Sequence, residues 1–232
     1  VSTAWQIDAY RFELPIVAAP MDSVMSPETA IALGKHGGLG VLNLEGLWTR
    51  YDDPADLLEE VADLSPGEAV ARMQQIYAEP IKPELIAQRL GQMREAGVTV
   101  AGALSPPRTK EFAKTVVDAG VDILHCSQRR FWEAEFEGSD LNFAGWAKKL
   151  TGVPTITVGS IGLTGEFVAA FGGESSRPAS LDELIRRLDR EEFDLVAVGR
   201  ALLQDPQWLV KIRDGRSGDL LPFEKSALAT LS

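Results

Sequence analysis

The chain has 232 residues, 45% hydrophobic and 25% charged, with a formal net charge of −11; this is ordinary globular composition, long enough for one α/β domain with a sizeable core. The acidic balance disfavours nucleic acid and anionic membrane as partners, since both need a basic face, and no run approaches the ~18–20 apolar residues of a membrane span. A lone cysteine, Cys126, excludes an internal disulfide and a cysteine-cluster metal site; with no signal-peptide pattern at the start, a cytoplasmic setting is expected. The first residue is Val1 rather than methionine, which leaves room for upstream residues.

Residues 1–14 lack clean periodicity and suit a short strand or a cap. Pro15–Ala19 is the first buried strand, closed by Pro20. Ser26 as N-cap and Pro27 at the first helical position open a helix that runs to about Lys35 and stops at Gly37-Gly38. Leu39–Leu44 is a second strand. Residues 45–97 read as a helical excursion, with Pro54, Pro66 and Pro83 each near a helix start. Val98–Leu104 is a third strand and Arg108–Ala119 a helix stopped by Gly120. Val121–Cys126 is a fourth strand, followed by a polar-aromatic loop to Asn142 and a helix over Phe143–Leu150. Val153–Val158 is the fifth strand, Ser180–Arg190 an amphipathic helix, Phe193–Val198 the sixth strand and Pro206–Arg213 a last helix before an irregular end. Strands alternating with helices predict a parallel sheet with helical crossovers. The fold expected is an α/β, TIM-type (β/α) barrel with six βα units, incomplete or contracted against the eight-unit form.

The fifth and sixth strands each run straight into glycine: Gly159-Ser160-Ile161-Gly162 after one, Gly199-Arg200 after the other. Glycine at a strand end lets backbone N–H groups approach an anion, and an arginine in the first turn of the next helix adds a planar charged fork. Two such consecutive turns make a phosphate cradle, and in a (β/α) barrel phosphate sits in the loops after the last two strands. The alternative is tight βα turns with Arg200 paired to a carboxylate.

Two resemblances cover nearly the whole chain. Residues 1 to about 122, with VAAPMDSVMSPETAIALGKHGGLGVLNLEGLWTRYDDP, IYAEPIKPELI and GVTVAGALSP, resemble the IMP dehydrogenase/GMP reductase family, in its short actinobacterial-type branch. From about Val121, residues 123–232, with DILHCSQRRFWEAEFEGSDLNFAGWAKKLTG, TITVGSIG and FDLVAVGRALLQDP, resemble the C-terminal third of the old yellow enzyme family of NADH:flavin oxidoreductases. The junction falls near Gly120-Val121-Asp122, and a recombined or designed chimera of one 232-residue barrel domain, or a natural fusion, is implied.

The resemblance implies FMN as cofactor and NAD(P)H as reductant. Gly159, Ser160, Gly162, Gly199 and Arg200 match positions that hold the FMN phosphate, and Ala19, Pro20 and Met21 match an APM sequence that lies beneath the ligand ring. Met21 is read either as part of that floor or as core filler, Asp22 either as a ligand-end group or as a cap toward Ser26, and Asn43 and Glu45 as strand-end polar residues that also form turns. His125, inside an apolar strand, is a structural or a catalytic histidine; His36 suits the C-terminal end of its helix. Cys126 aligns with the oxidoreductase strand rather than with the nucleophile loop of IMP dehydrogenases. Arg129, Arg130, Phe131 and Trp132 form either a ligand mouth or a solvated loop. The old yellow enzyme units that bind the substrate carbonyl and flank the flavin pyrimidine have no counterpart here, nor do the IMP dehydrogenase cysteine loop and flap.

Three functions follow. The first is an FMN-binding, oxidoreductase-like barrel with weak or no turnover; the second is a purine-nucleotide (IMP/GMP) oxidoreductase; the third is a catalytically silent scaffold that keeps a phosphate site. The expected partner is a small phosphate-bearing ligand. The end strands of a six-unit barrel need partners, which either closure of a flattened barrel or a homodimer supplies.

Overall fold

The computed structural model describes residues 2–166 and 172–229; residues 167–171, in the poorly periodic stretch, and 230–232, in the irregular end, lie outside them. The chain divides into two compact units, residues 1–125 and 126–232, a boundary close to the junction expected at 120–122.

In the first unit an antiparallel hairpin, β1 (Trp5–Ile7) and β2 (Tyr10–Phe12), precedes the parallel strands. Its Trp5 and Phe12 rings stack with centroids 4.3 Å apart, and Asp8 turns the chain at φ 49°. The sequence offered only a strand or a cap here; the turn has no glycine to announce it. Strand β3 (Val17–Ala18) pairs in parallel with β4 (Leu39–Asn43), and β4 with β5 (Ala101–Leu104), in the register Val17 to Leu39 and Val41 to Ala101. All three are shorter than the apolar runs that encode them, because the ladder stops where the chain turns into its crossover.

Helix α1 (Pro27–Lys35) begins as predicted: the Ser26 hydroxyl accepts the Thr29 N–H, the Thr29 hydroxyl accepts the Ser26 N–H, and Pro27 occupies the first turn. It packs closely on β4, where a Cβ at Gly40 would lie 2.6 Å from the Ala30 Cα; only glycine permits that approach. The prolines of the excursion mark its helices, with Pro54 capping α2 (Ala55–Ala62) and Pro66 and Pro83 opening α3 (Pro66–Ile76) and α4 (Pro83–Glu95). Helix α4 buries Leu85, Ile86, Leu90 and Met93 at helical spacing. With Leu39, Val41, Leu42 and Leu44 of the β4 segment they form the core, each large side chain contributing about 1.5–3 kcal/mol of transfer free energy. Helix α5 (Pro106–Asp118) begins two residues earlier than the sequence suggested, since Ser105 and two prolines already favour a helix start. Strand β6 (Ile123–Cys126) ends the unit.

In the second unit the loop after β6 leads to α6 (Phe143–Thr151), whose N-cap Asn142 accepts the Gly145 N–H at 2.8 Å and whose end is turned by Gly152 at φ 70°. Strand β7 (Thr155–Thr157) pairs in parallel with β8 (Leu195–Val196). Helices α7 (Asp182–Asp189), α8 (Arg200–Gln204) and α9 (Trp208–Arg213) follow in order. Strands β3 to β8 therefore alternate with helices as six βα units among the described residues, the α/β, (β/α)-barrel class of the sequence reading.

Candidate functional site

The residues read from the sequence as a phosphate cradle lie at the ends of β7 and β8, all within the second unit. After β7 the backbone enters the left-handed region at Gly159 (φ 128°), Ser160 (φ 53°) and Gly162 (φ 70°). Among the described residues, the N–H groups of Gly159, Ser160, Ile161, Gly162 and Gly199 donate to no protein acceptor, the condition for a backbone anion nest. Arg200 opens α8 and turns back to this loop. Its guanidinium donates to the Ser160 hydroxyl (3.2 Å), the Gly165 carbonyl (2.6 Å) and the Glu166 carbonyl (3.1 Å), and lies 5.5 Å above the Phe223 ring. Burial lowers the Arg200 pKa from its usual value, opposed by the Glu166 carboxylate; the group still stays cationic at any working pH.

The glycines divide into two kinds. A Cβ at Gly159 would lie 2.7–2.9 Å from the backbone of Gln128, Arg129 and Arg130, and one at Gly162 would lie 2.8 Å from the Trp208 ring. Those two are required by packing as well as by their φ angles. Gly199 meets nothing within 4 Å. Thus the Ser160 and Arg200 side chains meet, while Gly159 and Gly162 also do structural duty. The carboxylate partner offered as the alternative for Arg200 is not what it bonds; its acceptors are neutral oxygens.

Arg129 and Arg130 are only partly available to a ligand. The Arg129 carbonyl accepts the Ser160 hydroxyl, and Arg130 pairs with Glu133 at 2.6 Å. Phe131 is buried and packs edge-to-face on Trp132, so it is core rather than a mouth residue; the loop folds inward because the Phe131 N–H is bonded to the Gly159 carbonyl. Beneath it, Asn142 donates to the Phe131 carbonyl, and Glu192 accepts both the Asn142 N–H (2.9 Å) and Arg187 (2.6 Å). This node has no sequence signal, because its members are far apart in the chain.

In the first unit, Ala19 and Met21 are exposed, Met21 at 53%, and Pro20 is half-buried. Asp22 does not cap toward Ser26. Its Oδ2 instead accepts the Leu47 N–H at 3.0 Å and the Tyr77 hydroxyl, and its Oδ1 is buried without a partner. Asn43 makes the turn its position suggested, accepting the Glu45 N–H at 3.1 Å. The Glu45 carboxylate accepts the Ser105 N–H and, at 3.0 Å, the Ser105 hydroxyl, which ties the ends of β4 and β5. Tyr77 and Arg50 were missed, since an excursion residue carries no mark of the strand end it reaches. His36 caps the C-terminal end of α1. His125 is 8% exposed, and burial lowers its pKa to about 4, so it is neutral. Burial also raises the Cys126 thiol far above its ordinary value, which leaves no thiolate to attack a substrate.

Comparison with known proteins agrees with the first of the two resemblances. The IMP dehydrogenase / GMP reductase domain model matches residues 1–131, past the expected junction. An uncharacterized oxidoreductase of Mycobacterium tuberculosis is 49% identical over 129 residues, which are 53% of this chain and 34% of that protein. An NADH oxidase of Thermoanaerobacter brockii is 31% identical over 129 residues, 52% of this chain and 17% of that one. The crystal structure of an IMP dehydrogenase/GMP reductase-like protein from Corynebacterium glutamicum aligns at a TM-score of 0.59 and 35% identity, over 67% of this chain and 42% of that chain. The matches thus span about a third of the mycobacterial relative's length, and none of them names an old yellow enzyme. With more than half of its residues inside the family model, the chain belongs to the IMP dehydrogenase / GMP reductase domain family.

Proposed function

We propose that the protein is an oxidoreductase-type barrel that binds FMN by its phosphate, with weak or no turnover. The observation that carries the reading is the Arg200–Ser160 hydrogen bond, which joins the loops after two strands that pair with each other, in loops whose backbone N–H groups at Gly159–Gly162 and Gly199 have no acceptor among the described residues. That donor set fits a phosphate monoester: a permanent cation, a hydroxyl and preorganised amides. The old yellow enzyme-like sequence of the second part, VGSIG and VGRALLQDP, supports FMN over other phosphates. The relatives named as oxidoreductase and NADH oxidase support redox chemistry. When bound, FMN supplies hydride transfer, with NAD(P)H as the reductant; the chain's part is to fix the phosphate.

The test is the absorbance spectrum of the protein mixed with FMN and desalted. The parent is expected to keep a flavin band. Arg200→Gln removes a charge-assisted phosphate contact and is expected to weaken FMN binding about 10–100-fold. A parent that emerges colourless rejects the proposal. A second reading, a purine-nucleotide ligand of the IMP or GMP type, is favoured by the family match over residues 1–131. Both ligands carry a phosphate monoester, so competition between IMP and FMN in equilibrium dialysis separates the two readings.

A further inference from the structure

Three strand-end loops of the second unit meet around Glu166. The loop after β6 lies against the turn after β7: the Phe131 N–H bonds the Gly159 carbonyl at 3.1 Å, and the Ser160 hydroxyl donates to the Arg129 carbonyl at 3.2 Å. Arg130, on the first of these loops, pairs with Glu133 at 2.6 Å through Nη1, and its Nη2 lies 3.8 Å from the Glu166 Oε2. Arg200, after β8, donates to the Glu166 main-chain carbonyl at 3.1 Å. One residue thus engages two guanidiniums, Arg130 by its carboxylate and Arg200 by its carbonyl. Its charge reaches both. The hydrogen bond and charge of Glu133 raise the Arg130 pKa and Glu166 adds to them; burial lowers the Arg200 pKa and Glu166 opposes it.

As a tether the carboxylate is poor. At 3.8 Å it is beyond hydrogen-bond reach of Arg130, which Glu133 already neutralises, and the acceptors of Arg200 are neutral oxygens. What it changes is the charge of the loops. With Glu133 and Glu166 set against Arg130 and Arg200, the positive charge of the cradle arginine is offset before any ligand arrives. The Glu166 side chain is only 19% exposed, so water screens it incompletely. Repulsion between this carboxylate and an anion grows with the anion's charge, whereas the donors that one phosphoryl group can use stay the same.

We propose that Glu166 is a specificity-determining residue, a charge filter that admits a phosphate monoester to the Ser160–Arg200 loops and rejects a diphosphate. The inference rests on the reading of those loops as a phosphate site and adds the class of phosphate they take. Glu166→Gln keeps the main-chain carbonyl that Arg200 uses and removes only the charge.

The experiment titrates the full chain with inorganic phosphate and with pyrophosphate by isothermal calorimetry, at pH 8 and matched ionic strength. Glu166→Gln is expected to tighten phosphate about three- to tenfold and pyrophosphate by a larger factor. Glu137→Gln is the control: Glu137 is exposed on the loop after β6, so the variant loses the same net charge and is expected to leave both Kd values unchanged. In a parent that binds phosphate, an unchanged Glu166→Gln, an equal gain for the two anions, or the same gain in Glu137→Gln overturns the inference and leaves the phosphate site standing. Binding of both anions by Glu166→Gln and of neither by the parent upholds the filter and rejects the phosphate reading of the parent. No binding of either anion by either protein rejects both.

Discussion

Protonation of His125 should destabilise the protein by an amount that its burial fixes. The side chain is 8% exposed on β6, and burial brings its pKa to about 4 in the folded state, against about 6.5 in the unfolded chain. The unfolded state therefore binds the proton first, so stability is complete above pH 6.5 and falls as pH drops toward 4. With those two pKa values, linkage gives a loss of about 0.8 kcal/mol at pH 6 and about 2 kcal/mol at pH 5, approaching about 3.4 kcal/mol below pH 4. Carboxylates titrate in the lower part of that window, so the quantity to measure is a difference. Urea unfolding followed by tryptophan fluorescence between pH 5 and 8, for the parent and for His125→Gln, isolates the histidine. The parent should lose about 2 kcal/mol more than the variant by pH 5. Parallel curves across pH 5–7 would refute the reasoning and return His125 to the group of accessible, catalytic candidates.

Other outcomes follow from buried contacts. Arg187→Met strands the Glu192 carboxylate, whose side chain is 2% exposed, and should cost about 3–5 kcal/mol in urea unfolding, with partial recovery in the double variant Arg187→Met/Glu192→Met. Gly162→Ala places a methyl 2.8 Å from the Trp208 ring at a φ of 70° and should cost about 2 kcal/mol, with a shift in tryptophan emission if the ring is displaced. Cys126, buried and with its thiol pKa raised, should resist iodoacetamide at pH 8 in the native protein and label fully in urea.

The backbone was legible wherever one residue type decides the geometry. Pro27, Pro66 and Pro83 sit in the first turn of their helices because a deeper proline would remove a ladder hydrogen bond, and Ser26 supplies a missing acceptor; those helices start where the residues put them. Strand lengths were not legible, because an apolar run such as Pro15–Ala19 states what is hydrophobic, not where a neighbour stops donating. Of the site, the Ser160–Arg200 meeting followed from glycines at two strand ends. Phe223 beneath Arg200, Tyr77 on Asp22 and Arg187 on Glu192 did not, since each joins residues that only the fold makes neighbours. Phe131 was misplaced for a related reason: an aromatic residue in a polar loop looks exposed until its N–H is seen to bond the Gly159 carbonyl in the loop after the next strand.

The state of Arg200 decides how a phosphate would enter the proposed cradle. A guanidinium has five N–H donors. One on Nη1 goes to the Glu166 carbonyl and two on Nη2 go to the Gly165 carbonyl and the Ser160 hydroxyl, which leaves Nε–H and the second Nη1 hydrogen. Those two can receive an anion without displacing the carbonyls, and the carbonyl contacts hold the fork in place beforehand, so that less side-chain entropy is lost on binding. Addition and displacement predict opposite behaviour of the loop. If phosphate adds to a preset arginine, amide hydrogen exchange of Gly159–Gly162 slows in phosphate, because those N–H groups become donors, and exchange across Thr164–Glu166 does not rise. If phosphate must displace the carbonyls, the Thr164–Glu166 segment is released and exchanges faster. Inorganic phosphate suffices as the probe, with sodium sulfate as a second anion and matched chloride to separate a bound ion from ionic strength. Faster exchange at Thr164–Glu166 on phosphate binding would show that the carbonyl contacts of Arg200 compete with the ligand, and the cradle would then count as a structural lock first and a binding site second.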